Sequence, residues 1–169
     1  MSNATRMLAK AVSRESRSEA IVVSFGSEWY DSLRGKRFTA VIRKRVPSNF
    51  QPRFLYFHMN SPRSAICARA EILSVEVIDR ARALEIRHEL DLSEEQILRY
   101  FGALESMGCY RLGQIFFPDS DVTSEQIAAH MVYHPPQSFF VLSNDAKDLL
   151  DRLCGIQKDS AITRKASSR

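Results

Sequence analysis

The stretch FLYFHMNSPRSAICARAEI, residues 54–72, decides how the chain folds. Its first six residues alternate, with Phe54, Tyr56 and His58 on one face and Leu55, Phe57 and Met59 on the other. Asn60-Ser61-Pro62 then interrupts the run, because proline fixes its own φ and offers no N–H to a ladder. A second extended run begins at Ser64, with Cys67 in an apolar stretch, and carries on to Val77. The pattern predicts two strands, over 53–59 and 64–77, separated by the turn at Pro62.

Toward the N-terminus, IVVSF (21–25) is a β-branched run ending at Gly26. Ser27 is placed to cap a short helix, EWYDSLR, which Gly35 stops. A strand over 37–45 follows, ended by Pro47. Toward the C-terminus a helical stretch spans 79–89. DLSEEQILRYFG then reads as a second helix, with Ser93 as N-cap, acids in its first turn and Gly102 after its end. CYRLGQIFF (109–117) is a strand, TSEQIAAHM (123–131) a capped helix, QSFFVL (137–142) a last strand, and NDAKDLLDRL a closing helix started by Asn144. This order lacks the alternation of a doubly wound sheet. Short, mostly sequential strands joined by brief helices predict an α+β fold, a small mixed β-barrel with short helices covering its ends.

The 169 residues suit one domain with a real core. We expect that domain over 20–154, a polar, basic arm over 1–19 that is flexible or a short accessory helix, and a disordered tail over 155–169. No apolar run approaches a membrane span, and Arg, Lys, Ser and Glu break up the first twenty residues where a secretory signal would be apolar. A cytoplasmic protein with no membrane partner is expected. Cys67, Cys109 and Cys154 are odd in number and form no C-x-x-C pair, so neither a disulfide framework nor a zinc ribbon is indicated.

The net charge of +4 is modest, but its distribution is not even. Ser32 to Ala70 holds nine Lys or Arg residues and no acid, whereas the chain from Glu71 to Asp151 is predominantly acidic. At the centre of the basic half lies LRGKRFTAVIRKRVP (33–47), with six cations. Alternation there puts Phe38, Ala40 and Ile42 toward the core and Arg37, Thr39, Val41, Arg43 and Arg45 on the other face. Same-face residues sit roughly 6–7 Å apart, a spacing that suits successive phosphates. The segment is either a binding surface for an anion or a strand edge made basic against aggregation.

Several stretches together resemble the ASCH family. FLYFHMNSPRSAICARAEI is similar to its paired strands around a Ser-Pro turn. LSEEQILRYFG followed by CYRLGQI is similar to its helix and return strand. HPPQSFFVL resembles a segment of the larger ASCH proteins labelled predicted transcriptional regulators. LRGKRF…RKRVP occupies the place of the family's Gly-x-Lys signature. The resemblance spans roughly residues 21–142 and implies a PUA-like fold, whose members often bind RNA or modified bases; some small ASCH members hydrolyse acylated cytidine and some cleave RNA. Hydrolytic members carry a Lys, then a Thr or acid, then a Glu. Lys36 or Arg37 stands for the basic residue here, but the second polar position falls on Ala40 or Val41, and Thr39 belongs to the opposite face.

Three functional readings follow. In the first, an RNA or other nucleic acid with a single-stranded or flipped base is held by Lys36, Arg37, Arg43, Lys44 and Arg45, and stacked by Trp29 or Tyr56. Gln137 and Ser138, after the proline pair, line the same pocket if the resemblance holds. In the second, a nucleoside or RNA hydrolase uses Lys36 to polarise the substrate and Glu71, or Glu85 or Glu89, as base. A regulatory protein that meets an acidic protein partner is the third. The aromatic residues also have an ordinary core role. His130 and His134 stand at i, i+4, but Pro135 and Pro136 end the helix first, so no metal is expected. With no P-loop, G-x-G-x-x-G or G-x-S-x-G, no cofactor is expected either.

Overall fold

The computed structural model describes residues 19–157. Apart from Glu19, the expected arm lies outside the described residues, as does the tail beyond residue 157. Strand β1 (Ala20–Phe25) leads through a 3-10 turn (Ser27–Trp29) into helix α1 (Tyr30–Arg34). Strands β2 (Ala40–Arg43), β3 (Phe54–Met59) and β4 (Ala65–Asp79) follow, then helices α2 (Arg80–Glu85), α3 (Arg87–Leu90) and α4 (Glu94–Phe101). The chain closes with β5 (Ser106–Phe116), β6 (Val122–Thr123), α5 (Ser124–Ala128), β7 (Phe139–Leu142) and α6 (Asn144–Leu153).

The strands form one sheet in the order β2-β5-β4-β3-β1-β7, with β6 on β4. Strands β3, β4 and β5 are neighbours in both sequence and space, as expected. The rest is not sequential: β1 skips β2 to run parallel to β3, and β2 lies beside β5 at the far edge. A parallel pair needs a long crossover, which residues 26–53 provide. The register shifts at Phe57/His58, and again between Ala70 and Ser74, mark irregularities that bend a strand and increase its twist. The result is a strongly curled half-barrel, consistent with the expected barrel-like α+β fold.

Three apolar clusters explain which residues had to be apolar. Ile21, Val23, Phe25, Leu55, Phe57, Met59, Val41 and Tyr110 fill the barrel interior. Ala20, Val22, Tyr56, Ile66 and Leu142 pack with α5 and α6 residues such as Ile127 and Leu150. Ala40, Ile42, Ile78, Met107 and Cys109 pack with Ala83, Ile86, Leu90, Ile97 and Phe101 of α2–α4. Strands β1 and β2 are thus covered on both faces, which corrects the simple division of strand 37–45. The regular strand is only Ala40–Arg43, and Phe38, ahead of it, joins Val41 in the interior cluster. Ala40 and Ile42 face the helices instead.

Helix ends follow local chemistry. Ser93 Oγ accepts from the Gln96 N–H at 3.2 Å, and Gln96 Oε1 accepts from the Ser93 N–H at 2.8 Å, a complete capping box. Thr123 and Gln126 repeat it at the start of α5. Ser27 departs from expectation: its hydroxyl donates to the Asn60 carbonyl at 2.5 Å, tying the 3-10 turn to the β3–β4 turn rather than capping. Ser143, not Asn144, caps α6. Helix α6 is anchored by Asp151, which accepts from Tyr56 Oη, from Arg69 at 3.1 Å and from Lys147 at 2.7 Å.

Candidate functional site

The crossover carries most of the basic segment, and its path decides where those cations go. After the 3-10 turn it climbs to the far edge as β2, whose last residue, Arg43, pairs with Gly108 of β5. A Cβ on Gly108 would come within 2.1 Å of Val46, so only glycine lets residues 44–47 lie flat on β5. Arg43 leaves β2 on the Val41 side. Its guanidinium lies 3.9 Å from the Phe25 ring centroid and donates to the Ile42 carbonyl at 3.0 Å and the Ser24 carbonyl at 3.2 Å. Ser24 belongs to β1, four strands along the sheet from β2, so Arg43 spans the open side of the half-barrel.

Beside this clasp is a pocket of about 310 Å³. Phe25, Trp29, Phe38, Val41 and Ile42 form one side, and Leu90, Leu92, Gln96, Arg99 and Tyr100 the helical side, with Arg43 and Lys44 between. Among the described residues no carboxylate lines it, whereas three cations do. Lys44 Nζ stands 5.4 Å from the Tyr100 ring centroid. Burial lowers the Arg43 pKa from its ordinary value, partly offset by its interaction with Tyr100. The volume is at the small end for ligand pockets, which run from roughly 300 to 1,000 Å³. A partly aromatic, largely apolar lining that also carries three cations suits a single planar ring system joined to an anionic chain.

Of the residues predicted from sequence, Trp29, Arg43 and Lys44 come together here. Arg45 is exposed just beyond Lys44. Arg37 is engaged elsewhere, donating to Ser32 Oγ at 2.8 Å and pairing with Asp91 at 3.5 Å. Lys36, in the left-handed region at φ 50°, stands 5.8 Å from the Phe117 ring centroid and outside the pocket walls. Glu71 is exposed on β4, and among the described residues no carboxylate forms an ion pair with Lys36. Tyr56 is corrected outright: it is fully buried beneath α6, with its hydroxyl on Asp151, and presents no ring face to a ligand. Gln137 and Ser138 precede β7, next to the Val23–Phe139 pair, and are not among the pocket walls. Tyr30, another aromatic of the crossover, stacks on Arg63 at 3.4 Å over a broader, more polar hollow containing Glu28 and Asp31.

Sequence reasoning missed Tyr100, Gln96 and Arg99. Gln96 and Tyr100 are four apart and Arg99 three from Gln96, so one face of α4 aims all three the same way. That spacing was visible, but it has the same form as any helical surface. The three thiols offer no nucleophile: burial raises the pKa of Cys67 and Cys154 to about 12 and of Cys109 to about 11. Helix α5 ends at Ala128, before His130 and His134.

A curled mixed sheet with this topology, covered by short helices, matches the fold of solved ASCH proteins. The ASCH protein of Zymomonas mobilis matches with a TM-score of 0.72 at 20% identity, over 80% of this chain and 95% of that one. A Ser-to-Ala variant of the same protein matches at 0.73 and 19% identity, over 82% of this chain and 98% of that chain. A Tyr-to-Phe variant gives 0.71 at 21% identity, over 80% and 98%. The likeness is one of fold. No protein-family model matches the sequence, and no curated protein matches it.

Proposed function

We propose that the chain is a nucleic-acid-binding domain that takes one unstacked base into the pocket between Trp29 and Tyr100. The carrying observation is the convergence of Trp29, Tyr100, Arg43 and Lys44 on an apolar pocket with no acid in its walls. A base between aromatic walls gains about 1–3 kcal/mol, and every base has a face to stack. Lys44 and Arg45, and Arg99 once it exchanges its Glu95 partner for phosphate, stand at or beside the pocket, where they neutralise the phosphates flanking the inserted nucleotide. Stacked duplex cannot enter a pocket of this size, so RNA or DNA with a single-stranded or extruded base is the ligand class.

Trp29 is the single tryptophan, so its fluorescence reports on the pocket alone. Titration with a short single-stranded RNA or DNA at low salt is expected to quench it. The log of the affinity should fall with log salt with a slope of about −2, for three phosphates on a single strand. Absence of quenching together with absence of filter-bound RNA or DNA at low salt refutes the reading.

A further inference from the structure

Arg43, half-buried among the pocket walls, is a cation without a carboxylate partner among the described residues. Among the described residues no carboxylate stands within salt-bridge distance of Arg43; backbone carbonyls, the Phe25 face and Tyr100 surround it instead. Buried charges are ordinarily paired, because desolvating one is expensive. Two of its five N–H groups have carbonyl partners from Ile42 and Ser24, and the guanidinium has no acceptor to offer. Tyr110, whose register partner is the pocket residue Val41, adds a second observation. Its hydroxyl is wholly buried without a hydrogen-bond partner, within electrostatic reach of Arg43. One wall of the pocket is therefore backed by a guanidinium with N–H groups to spare beyond its carbonyl and Tyr100 partners, and by a buried phenol with no partner.

From this we infer that the inserted base is a keto base, uracil- or guanine-like, presenting carbonyl oxygen to Arg43, and that amino-bearing cytosine and adenine are disfavoured. The inference rests on the nucleic-acid reading above and names its base class. Arg pairs with guanine through O6 and N7, and a uracil O4 offers an acceptor of the same kind. A cytosine or adenine in the same pose turns an NH₂ toward the guanidinium, donor against donor. A phosphate is a poorer occupant, since it would lose its hydration among Phe25, Trp29, Phe38 and Tyr100 while exposed cations stand at the rim.

The test compares oligouridine with oligocytidine of equal length, and inosine with adenosine in one otherwise fixed strand, by fluorescence anisotropy at one low salt concentration. Each pair differs at the base position that is carbonyl in one member and amino in the other. The expected result is tighter binding of the keto member by about tenfold, equivalent to about 1.4 kcal/mol. Arg43→Gln, with an amide that both donates and accepts, is expected to bring the ratio close to one; circular dichroism verifies that it folds. Should the clasp prove necessary for folding, Tyr110→Phe, which keeps the ring in the core, is expected to narrow the ratio. Equal binding of both members by the wild type, or preference for the amino member, overturns this inference and leaves the nucleic-acid reading standing. Failure to bind any of the four overturns both.

Discussion

Replacing Asp151 by Asn is the sharpest test of how α6 is held to the barrel. The carboxylate is 8% exposed and takes hydrogen bonds from Tyr56, Arg69 and Lys147. Burial raises the Tyr56 pKa, with Asp151 adding to the shift, so the phenol remains a proton donor on the carboxylate. Asparagine keeps the shape but removes the charge from between two cations, and its NH₂ group faces donors. Breaking a buried pair from one side costs about 3–5 kcal/mol. Arg69 and Lys147 are 18% and 19% exposed and regain some water, which favours the lower figure. A loss of about 3 kcal/mol corresponds to a fall in Tm of about 6–12 °C for a chain of this size. Tyr56→Phe removes one charge-assisted bond and is expected to cost about 1.5–3 kcal/mol. Because the two changes share that bond, the double variant should lose less than the sum. Thermal unfolding by circular dichroism reads all three. A shift within about 2 °C for Asp151→Asn, or strict additivity in the cycle, refutes the anchoring argument.

Three further outcomes follow from the same geometry. His58 is fully buried with its Nδ1 on Tyr133 Oη at 2.9 Å, and burial lowers its pKa from 6.5 to about 4. The unfolded chain therefore binds the proton more readily between those values. The histidine's contribution is complete above about pH 6.5 and lost as pH falls toward 4, about 3 kcal/mol in all. Denaturant titrations across that window should show a shallower pH dependence in His58→Gln than in the wild type; identical slopes would rule the histidine out. Gly108→Ala drives a methyl into Val46 and is expected to cost about 1–3 kcal/mol, with Val46→Ala relieving most of it in the pair; chemical denaturation checks this. Tyr100→Ala is expected to weaken single-strand binding by about 1–3 kcal/mol with little loss of Tm, because the ring is only half-buried; unchanged affinity would remove Tyr100 from the site.

The parts of the fold legible in the sequence are those set by neighbours in the chain. Ser93 with Gln96, the alternation in 54–59, and the break at Pro62 act over a few residues, and each behaves as expected. Pairing β1 with β3 in parallel, and seating β2 beside β5, depend on contacts across the crossover, for which short-range periodicity has no signature. Tyr56 shows the same limit in the site. On a strand with large groups on both faces, alternation cannot say which face meets solvent, and α6 covers the Tyr56 side. Trp29, Arg43 and Lys44, which share the pocket, are marked locally by charge and aromatic content. Tyr100 was missed because it joins them only after β2 and α4 meet across the pocket.

The Arg43 reach from β2 to the Ser24 carbonyl couples occupancy of the site to the integrity of the whole barrel. On the proposed reading, the side chain that faces the inserted base also ties β2 to β1, so binding and closure form a single thermodynamic cycle. A ligand at a hundredfold its Kd adds about 2.7 kcal/mol to the closed form, a rise in Tm of about 5–11 °C. Amide protons of β2 and β1 should exchange more slowly when the pocket is filled. Melting temperature and exchange rate thus become ligand detectors for this chain, usable on unlabelled nucleotides.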